Sequence, residues 1–206
     1  MENGIKERII EETCILFTRY GIRAVTMDTI ASQMGISKRT IYENFCDKDD
    51  LVLSVMTWMG TENMKTIKNL EEESETVIHL SFKVIEMVGS MMERFNPLIF
   101  EDLRKYHHLV EKNTERLRIQ DNIALSRPFV TRGIREGFFR PDINPDLINR
   151  ALHAVFQLTG DFNHFPRELF RRDEVVRSVY LNYLRGISTQ AGIELIDKIE
   201  TETYKH

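Results

Sequence analysis

The chain has 206 residues, of which 42% are hydrophobic and 29% are charged, and its formal net charge is −4 at pH 7. These values are typical of a soluble globular protein with one large domain, or with a small domain fused to a larger one. No stretch approaches the ~20 uncharged apolar residues that span a bilayer, which excludes a helical membrane protein. The first ten residues lack the basic start and apolar core of a signal peptide, so we expect a cytoplasmic protein with no membrane partner.

The first predicted helix runs from Ile5 to Tyr20. Its apolar residues repeat at helical spacing, and Gly21 follows as a natural stop. We expect this helix to form the core that supports the residues after it.

Two short helical patterns on either side of a tight turn follow between Thr26 and Lys48. Thr26 suits the N-cap of the first helix, and Gly35 suits its end because the backbone there often needs a positive φ. Ser37 can cap the second helix, whose first turn carries Lys38, Arg39 and Thr40. This order predicts a helix-turn-helix whose second helix presents cationic and hydroxyl groups to the major groove of DNA. Any two short helices joined by glycine would share these caps, so the pattern alone leaves a structural hairpin open.

Specific residues at fixed spacing narrow that choice. They are Thr26-Met27-Asp28, Ile30-Ala31, Gly35-Ile36-Ser37-Lys38, Thr40-Ile41-Tyr42, Phe45, Lys48 and Leu51, with Leu16-Phe17 and Gly21 upstream. The pattern resembles the DNA-binding domain of the TetR family of transcriptional regulators and covers about the first quarter of the chain. The resemblance implies double-stranded operator DNA as a partner. The expected DNA-binding residues are Thr26, Ser37, Lys38, Arg39, Thr40, Tyr42 and Lys48. We expect Arg39 to read a base and Tyr42 and Lys48 to contact phosphates.

The rest of the chain also reads as helical. Asp47 is a suitable N-cap for a helix that begins at Lys48, and Asp50 can complete a capping box. Asn144 and Asp173 are the expected caps of two later helices, and Pro128 should kink the helix that contains it. The predicted helices span about 48–70, 71–95, 97–106, 108–136, 145–163, 173–188 and 193–199. No window shows the alternation of a strand with turn signals.

These elements predict an all-α fold in two parts. Residues 1–47 form an N-terminal three-helix DNA-binding domain with a helix-turn-helix. A linker helix joins it to a larger α-helical ligand-binding and dimerisation domain, residues 48–206.

Methionines are frequent in the linker helix and in the helix after it. They fit either ordinary core filling or an adaptable apolar pocket. The resemblance implies a ligand pocket in this region, for a small-molecule effector. The predicted ligand-binding residues are Met56, Met59, Met87, Met91, Phe100, Phe129 and Phe156.

The helices over 145–163 and 173–188 have strong apolar stripes. The stripes fit either the core of a monomer or, as the resemblance implies, a symmetric four-helix interface of a homodimer. The predicted interface residues are Leu152, Val155, Phe156, Thr159, Val179 and Tyr183. A dimer would hold two recognition helices ~34 Å apart to read a palindrome.

We find no catalytic constellation in the sequence. His107 and His108 are adjacent and make a poor metal pair, and neither a phosphate loop nor a nucleophile elbow is present. We therefore predict no enzyme activity, no metal and no cofactor. The predicted function is a ligand-responsive transcriptional regulator, a repressor that binds a palindromic operator as a homodimer and is released by a small apolar or aromatic effector. A small-molecule carrier or an all-α enzyme with a vestigial helix-turn-helix is the alternative, and an activator also fits the sequence.

Overall fold

The computed structural model describes residues 4–159 and 164–204, without the side chains of residues 114–127 and 156–157. These described ranges contain ten helices and no strand, and one isolated bridge pairs Phe139 with Ser188. The predicted all-α fold is confirmed. The helices are α1 Ile5–Tyr20, α2 Met27–Met34, α3 Lys38–Tyr42, α4 Lys48–Glu72, α5 Val77–Arg94, α6 Leu98–Tyr106, α7 His108–Arg135, α8 Pro145–Thr159, α9 Arg172–Ile187 and α10 Gln190–Thr203. Each helix of the described chain is too short or too polar to cross a bilayer.

The chain folds into two compact units. Unit 1 comprises Met1–Lys65 and Arg94–Arg118, and unit 2 comprises Thr66–Glu93 and Ile119–His206. Unit 1 therefore contains α6 as well as the helix-turn-helix. Compactness does not test which residues bind DNA or ligand, so the functional division into residues 1–47 and 48–206 stays a prediction.

The core of unit 1 joins α1, α2 and α3 to the first half of α4 and to α6. Its fully buried side chains are Ile9, Phe17, Ile22, Ile30, Ile41, Leu51, Val52, Val55 and Ile99. Burial of these apolar groups is the main favourable contribution to folding in this unit. Because Ile99 and Leu103 belong to the same core, α6 packs directly against the helices that surround the helix-turn-helix.

Local sequence signals set the helix ends in this unit, as predicted. Thr26 Oγ1 accepts a hydrogen bond from Thr29 N at 3.1 Å, and Gly35 adopts the left-handed conformation with φ 64°. At the start of α4, Asp47 Oδ1 accepts from Asp50 N at 2.9 Å. Asp50 Oδ2 in turn accepts from Cys46 N at 3.0 Å, one residue before the donor expected for a capping box, so the cap at Asp47 forms and the reciprocal bond is shifted by one residue.

Unit 2 differs from the predictions at the connection between α4 and α5. We expected a helix to begin within residues 71–75, but α4 continues to Glu72 and α5 begins at Val77. The reason is an ion pair at the carboxyl end of α7, in which Arg132 Nε donates to Glu136 Oε1, on the residue that follows the helix, at 2.6 Å. Arg132 also donates to Ser74 O at 2.9 Å, while Glu136 Oε2 accepts from Val77 N at 2.7 Å. One ion pair therefore caps the carboxyl end of α4 and the amino end of α5.

The start of α9 is a second difference. The predicted cap at Asp173 is wrong, because the helix begins one residue earlier, at Arg172. Arg172 N donates to Glu93 Oε1 at 2.8 Å, and the buried guanidinium donates to Thr159 O and Phe165 O. These long-range partners fix the helix start.

The other ends in unit 2 follow local signals more closely. Asn144 Oδ1 accepts from Asp146 N at 3.0 Å, as predicted, and α8 begins at Pro145. Thr189 Oγ1 accepts from Gly192 N at 3.2 Å, so α10 begins earlier and is longer than expected. Pro128 lies inside α7, and its predicted kink stays a prediction.

The segment 137–144 is a loop, as expected, but it is fixed closely against its neighbours. A Cβ atom on Gly133 would lie 2.1 Å from the Phe139 ring, and one on Gly192 would lie 2.3 Å from Phe138 O. Arg140 N donates to Ile187 O at 2.9 Å, and Thr189 Oγ1 donates to Gly137 O at 2.8 Å. The loop thus belongs to the packed body of unit 2.

Candidate nucleic-acid interface

Helix α3, the second helix of the helix-turn-helix, has one anchored side and one exposed side. Ile41 is fully buried, which fixes the helix against the core of unit 1. Arg39 lies two residues before it, and its side chain is 87% exposed. Tyr42 is also exposed, at 49% of its surface. The helix therefore presents a guanidinium and a phenol to any ligand that approaches this surface.

Both cations of α3 have a carboxylate partner on the protein surface. Lys38 Nζ lies 2.8 Å from Asp28 Oδ2, and Arg39 Nε lies 2.9 Å from Glu43 Oε1. The hydrogen bond to Asp28 raises the pKa of Lys38 above its usual value. Such exposed pairs are weak because water and salt screen them. A nucleic-acid phosphate or base edge can therefore replace the carboxylate at small cost.

The predicted hydroxyl contacts lie at the two helix starts. Ser37 Oγ accepts from Thr40 N at 3.0 Å and lies 2.9 Å from Thr40 Oγ1, and Thr26 caps α2 in the same way. A hydroxyl that accepts a bond from the backbone still has a proton to donate. The caps of α2 and α3 can thus also donate to a phosphate. Thr26, Ser37, Lys38, Arg39 and Tyr42 are exposed, and Thr40 is half-buried.

Lys48 is placed differently from the other six predicted DNA-binding residues. Its side chain is half-buried, and Nζ donates to Ile22 O at 2.7 Å. Burial lowers the pKa of Lys48, and the nearby charges of Asp102 and Asp49 oppose that effect. The next backbone group, Arg23 N, donates to Asp102 Oδ2 at 2.7 Å.

Asp102 was not identified from the sequence. It is buried on α6, on the face that also carries Ile99 and Tyr106 at helical spacing. A carboxylate on an apolar face was the available signal, since a buried charge needs a partner.

The predicted ligand-binding residues divide between the two units. In unit 1, Met56 is buried, Met59 packs against the same core, and the Phe100 ring stacks on Phe95 at 6.4 Å. In unit 2, Met87, Met91 and Phe129 pack against a second core. The side chain of Phe156 lies outside the described residues. Their assignment to a ligand stays a prediction.

The predicted dimer residues of α8 and α9 are mostly turned inward in the single chain. Thr159 is fully buried, and Leu152, Val155, Val179 and Tyr183 are partly buried. Tyr183 donates its hydroxyl proton to Ile148 O, and burial raises its pKa to about 12.

A different apolar stripe of α8 is exposed. It consists of Leu147, Ala151, Ala154 and Leu158, which recur at helical spacing on one face. Leu147 is 65% exposed and Leu158 is 42% exposed. The periodicity of α8 was predicted correctly, but two faces of this helix are apolar, and the sequence did not show which one the chain itself buries.

A buried amide lies on the same helix. Asn149 is 3% exposed, and neither its Oδ1 nor its Nδ2 has a hydrogen-bond partner among the described residues. Sequence reasoning missed it because an asparagine in a helix is usually exposed.

No cluster of three or more His, Cys, Asp or Glu side chains that could hold a metal lies within the described residues. His107 is buried with Nδ1 2.6 Å from Asp49 Oδ1, while the adjacent His108 is exposed. The two rings therefore have different environments, which gives no support for a metal pair.

The sequence of this chain is similar to those of known bacterial regulatory proteins. Residues 9–55 match the family described as "Bacterial regulatory proteins, tetR family". The HTH-type transcriptional regulator YvaF of Bacillus subtilis is 29% identical over 185 residues, which covers 88% of this chain and 95% of YvaF. The HTH-type transcriptional repressor KstR2 of Mycobacterium tuberculosis is 23% identical over 164 residues, covering 73% of this chain and 76% of KstR2.

Solved structures share the fold of the whole chain. The transcriptional regulator FadR from Bacillus subtilis, in complex with stearoyl-CoA, superposes with a TM-score of 0.71 at 17% identity. That match covers 88% of this chain and 98% of FadR. At such low identity the likeness extends to the fold and no further.

Proposed function

We propose that this chain, a DNA-binding transcriptional regulator of the tetR family, is a repressor that binds a palindromic operator as a homodimer and is released by a small apolar effector. The observation that carries the proposal is the recognition helix α3. Its buried Ile41 fixes a surface from which Arg39 and Tyr42 project. We place the protein in the cytoplasm, where operator DNA is accessible.

The predicted DNA-binding residues of the helix-turn-helix divide into one candidate for base recognition and several candidates for backbone contacts. Arg39 is the candidate for reading a base, because a guanidinium can donate two bonds to guanine in the major groove. Lys38 and Tyr42, with the hydroxyls of Ser37, Thr40 and Thr26, are candidates for contacts that set the register on the duplex. These residues lie in the helix-turn-helix or at its caps.

The overall acidity of the chain is compatible with this footprint. The formal net charge of −4 disfavours DNA contact at most of the surface. A local cluster of cations on α3 then directs the duplex to one place.

An apolar effector is favoured by the composition of the interior. Met87, Met91 and Phe129 pack beside the second core, and methionine adapts to ligands of irregular shape. KstR2 is described as a ketosteroid transcriptional regulator, and the FadR structure is a complex with stearoyl-CoA, in which a long apolar acyl chain is joined to a polar, charged coenzyme A group. For this chain we propose an effector with a large apolar part, such as a ring system or an acyl chain.

For the dimer, the exposed stripe of α8 supports a revised choice of residues. Leu147, Ala151, Ala154 and Leu158 can meet their own copies across a two-fold axis, because small residues between two leucines let helices approach closely. The partly buried residues predicted from the sequence are less available for that contact.

The rival function is a ligand carrier or an enzyme with a vestigial helix-turn-helix. A protein without a DNA partner gains nothing from exposed cations and an exposed tyrosine on α3. An activator would use the same DNA-binding surface, and the direction of regulation is decided by the position of the operator.

The test is selection of bound duplexes from a random pool, followed by affinity measurements on the selected site. Arg39→Ala should weaken binding to that site by ~1–3 kcal/mol and binding to random DNA much less. Lys65→Ala is the matched control, because Lys65 is also exposed and paired with a carboxylate, Glu62, but lies far along α4. Failure of the unaltered protein to enrich any sequence would reject the proposal in favour of the carrier. Equal losses on both DNAs would assign Arg39 to phosphate.

A further inference from the structure

Two charged side chains hold opposite ends of a single peptide group. Lys48 Nζ donates to Ile22 O at 2.7 Å, and Arg23 N donates to Asp102 Oδ2 at 2.7 Å. The carbonyl of Ile22 and the N–H of Arg23 belong to the same planar peptide unit. The four residues lie within unit 1. We call this arrangement the peptide clamp.

The electrostatics of the peptide clamp are complementary. The ammonium meets the negative end of the peptide dipole, and the carboxylate meets the positive end. Asp102 is buried and Lys48 is half-buried, so both charges are partly removed from water and depend on this contact for compensation. Bonds to charged groups are shorter and stronger than neutral ones, and each one polarises the next.

The peptide clamp brackets the helix-turn-helix in the sequence. Arg23 lies just before the cap at Thr26, and Lys48 lies just after Phe45, the last buried residue of the motif. Asp102 comes from α6, outside the motif. The clamp therefore joins both ends of the DNA-reading segment to one position on α6.

The backbone before the clamped peptide is pressed against α6. Gly21 has φ 81°, and a Cβ atom added there would lie 3.2 Å from both Asp102 Oδ2 and Leu98 Cβ. A larger residue would be strained in this conformation and would push the loop away from α6.

Residues beside Asp102 hold the same region. Asn96 Nδ2 donates to Arg19 O at 3.1 Å, at the carboxyl end of α1. Tyr106 accepts a bond from Arg23 Nη1 at 2.9 Å, and its ring also faces that guanidinium at 5.0 Å. Several contacts thus hold the loop between α1 and α2 against α6. Among these contacts, the peptide clamp alone also includes the start of α4.

We propose that Lys48 and Asp102 are positioning residues for DNA binding, which act through the Ile22–Arg23 peptide and couple the helix-turn-helix to α6. This inference rests on the proposed function. Lys48 then contributes to DNA affinity by orienting the helix-turn-helix and not by contacting a phosphate. A change in the position of α6 would alter DNA affinity through the same peptide.

The experiment combines Lys48→Met, Asp102→Asn and the double variant, each measured on the selected operator over a range of salt concentrations. We expect each single variant to lose roughly tenfold in affinity, within the range of ordinary coupling between sites. The double variant should lose little more than one single variant, because both act on one peptide group. The salt dependence should remain unchanged in all three, since no phosphate contact is removed. Lys48→Arg keeps a donor and should restore most of the affinity.

Matched controls lie beside each position. Glu101→Gln neutralises the neighbour of Asp102 on α6, and Lys65→Met removes another ammonium from α4. Lys65 is exposed, and the Glu101 side chain is about half exposed. Neither control should change operator affinity. Hydrogen exchange of the Arg23 amide provides a readout without DNA, and exchange should be faster in both Lys48→Met and Asp102→Asn.

Several results would overturn the proposal. Additive losses, together with a shallower salt dependence in Lys48→Met, would assign Lys48 to a phosphate. Unchanged Arg23 exchange in a folded variant would show that the peptide is held by other groups. If the unaltered protein binds no DNA, the proposed function fails, while the exchange measurement still tests the peptide clamp by itself.

Discussion

The exposed stripe of α8 gives a quantitative prediction for assembly. Leu147 is 65% exposed in the single chain, and complete burial of a leucine stabilises a protein by ~1.5–3 kcal/mol. Covering the exposed part therefore contributes ~1–2 kcal/mol per copy. A two-fold interface contains the residue twice, so Leu147→Ser should weaken the dimer by ~2–4 kcal/mol. The dimer dissociation constant would then rise by roughly 30-fold to several hundred-fold.

Sedimentation across a range of protein concentrations measures that constant directly. The matched control is Leu109→Ser on α7, because Leu109 is 61% exposed but lies in unit 1. It should leave the dissociation constant unchanged. Leu147→Ser should also weaken cooperative binding to a palindrome, because a monomer presents only one recognition helix. An unaffected dimer in Leu147→Ser would refute the assignment of this stripe. Dissociation on changing Val155 alone would favour the face predicted from the sequence.

Two further predictions concern unit 2. Asn149→Leu should stabilise the protein against urea by ~1–2 kcal/mol, because it removes a buried amide that has no hydrogen-bond partner in the part of the chain that the structure describes. Asn182→Leu on α9 is the exposed control and should change little, and destabilisation by Asn149→Leu would imply a partner for this amide. Because burial raises the pKa of Tyr183 from 10.0 to about 12, its neutral form stabilises the fold fully below pH 10, and this contribution is lost as pH rises from 10 towards 12. Urea unfolding of Tyr183→Phe should show a smaller loss over that window, and identical pH profiles would contradict the attribution.

The sequence predicted the DNA-reading part in detail because its determinants are local. Thr26 and Ser37 cap helices through residues three positions away, and Asp47 and Asp50 do the same for α4. Gly35 ends α2 through its own backbone conformation. Interactions over so short a span can be recognised from residue type and spacing alone.

The features that were missed depend on partners distant in the chain. Val77 begins α5 because Glu136 caps it, and Arg172 begins α9 because Glu93 accepts from its backbone. No local pattern at either position records the distant carboxylate. The same holds for Asp102, whose role becomes apparent only when α6 lies against the loop at Arg23.

Which side of α8 faces solvent was also beyond the sequence. Leu152 and Leu147 both lie in apolar repeats, and periodicity describes the two faces equally well. The choice depends on the shape of the surface that α9 and its neighbours offer. Ligand-binding assignments such as Met56 and Met87 share this difficulty, because a methionine beside a core and one beside a ligand follow the same spacing.

The loop at 137–144 has a practical consequence for engineering this protein. Its glycine, its proline and its polar residues suggest a place where a reporter domain or a new chain terminus could be introduced. Instead, Gly133 and Gly192 let Phe138 and Phe139 approach closer than any side chain would allow, and Ile187 binds the backbone of the loop. Tolerance to insertion depends on the burial and bonding of the backbone that is interrupted. A biosensor built from this chain should therefore leave this segment intact, since an insertion here would separate α7 from α10.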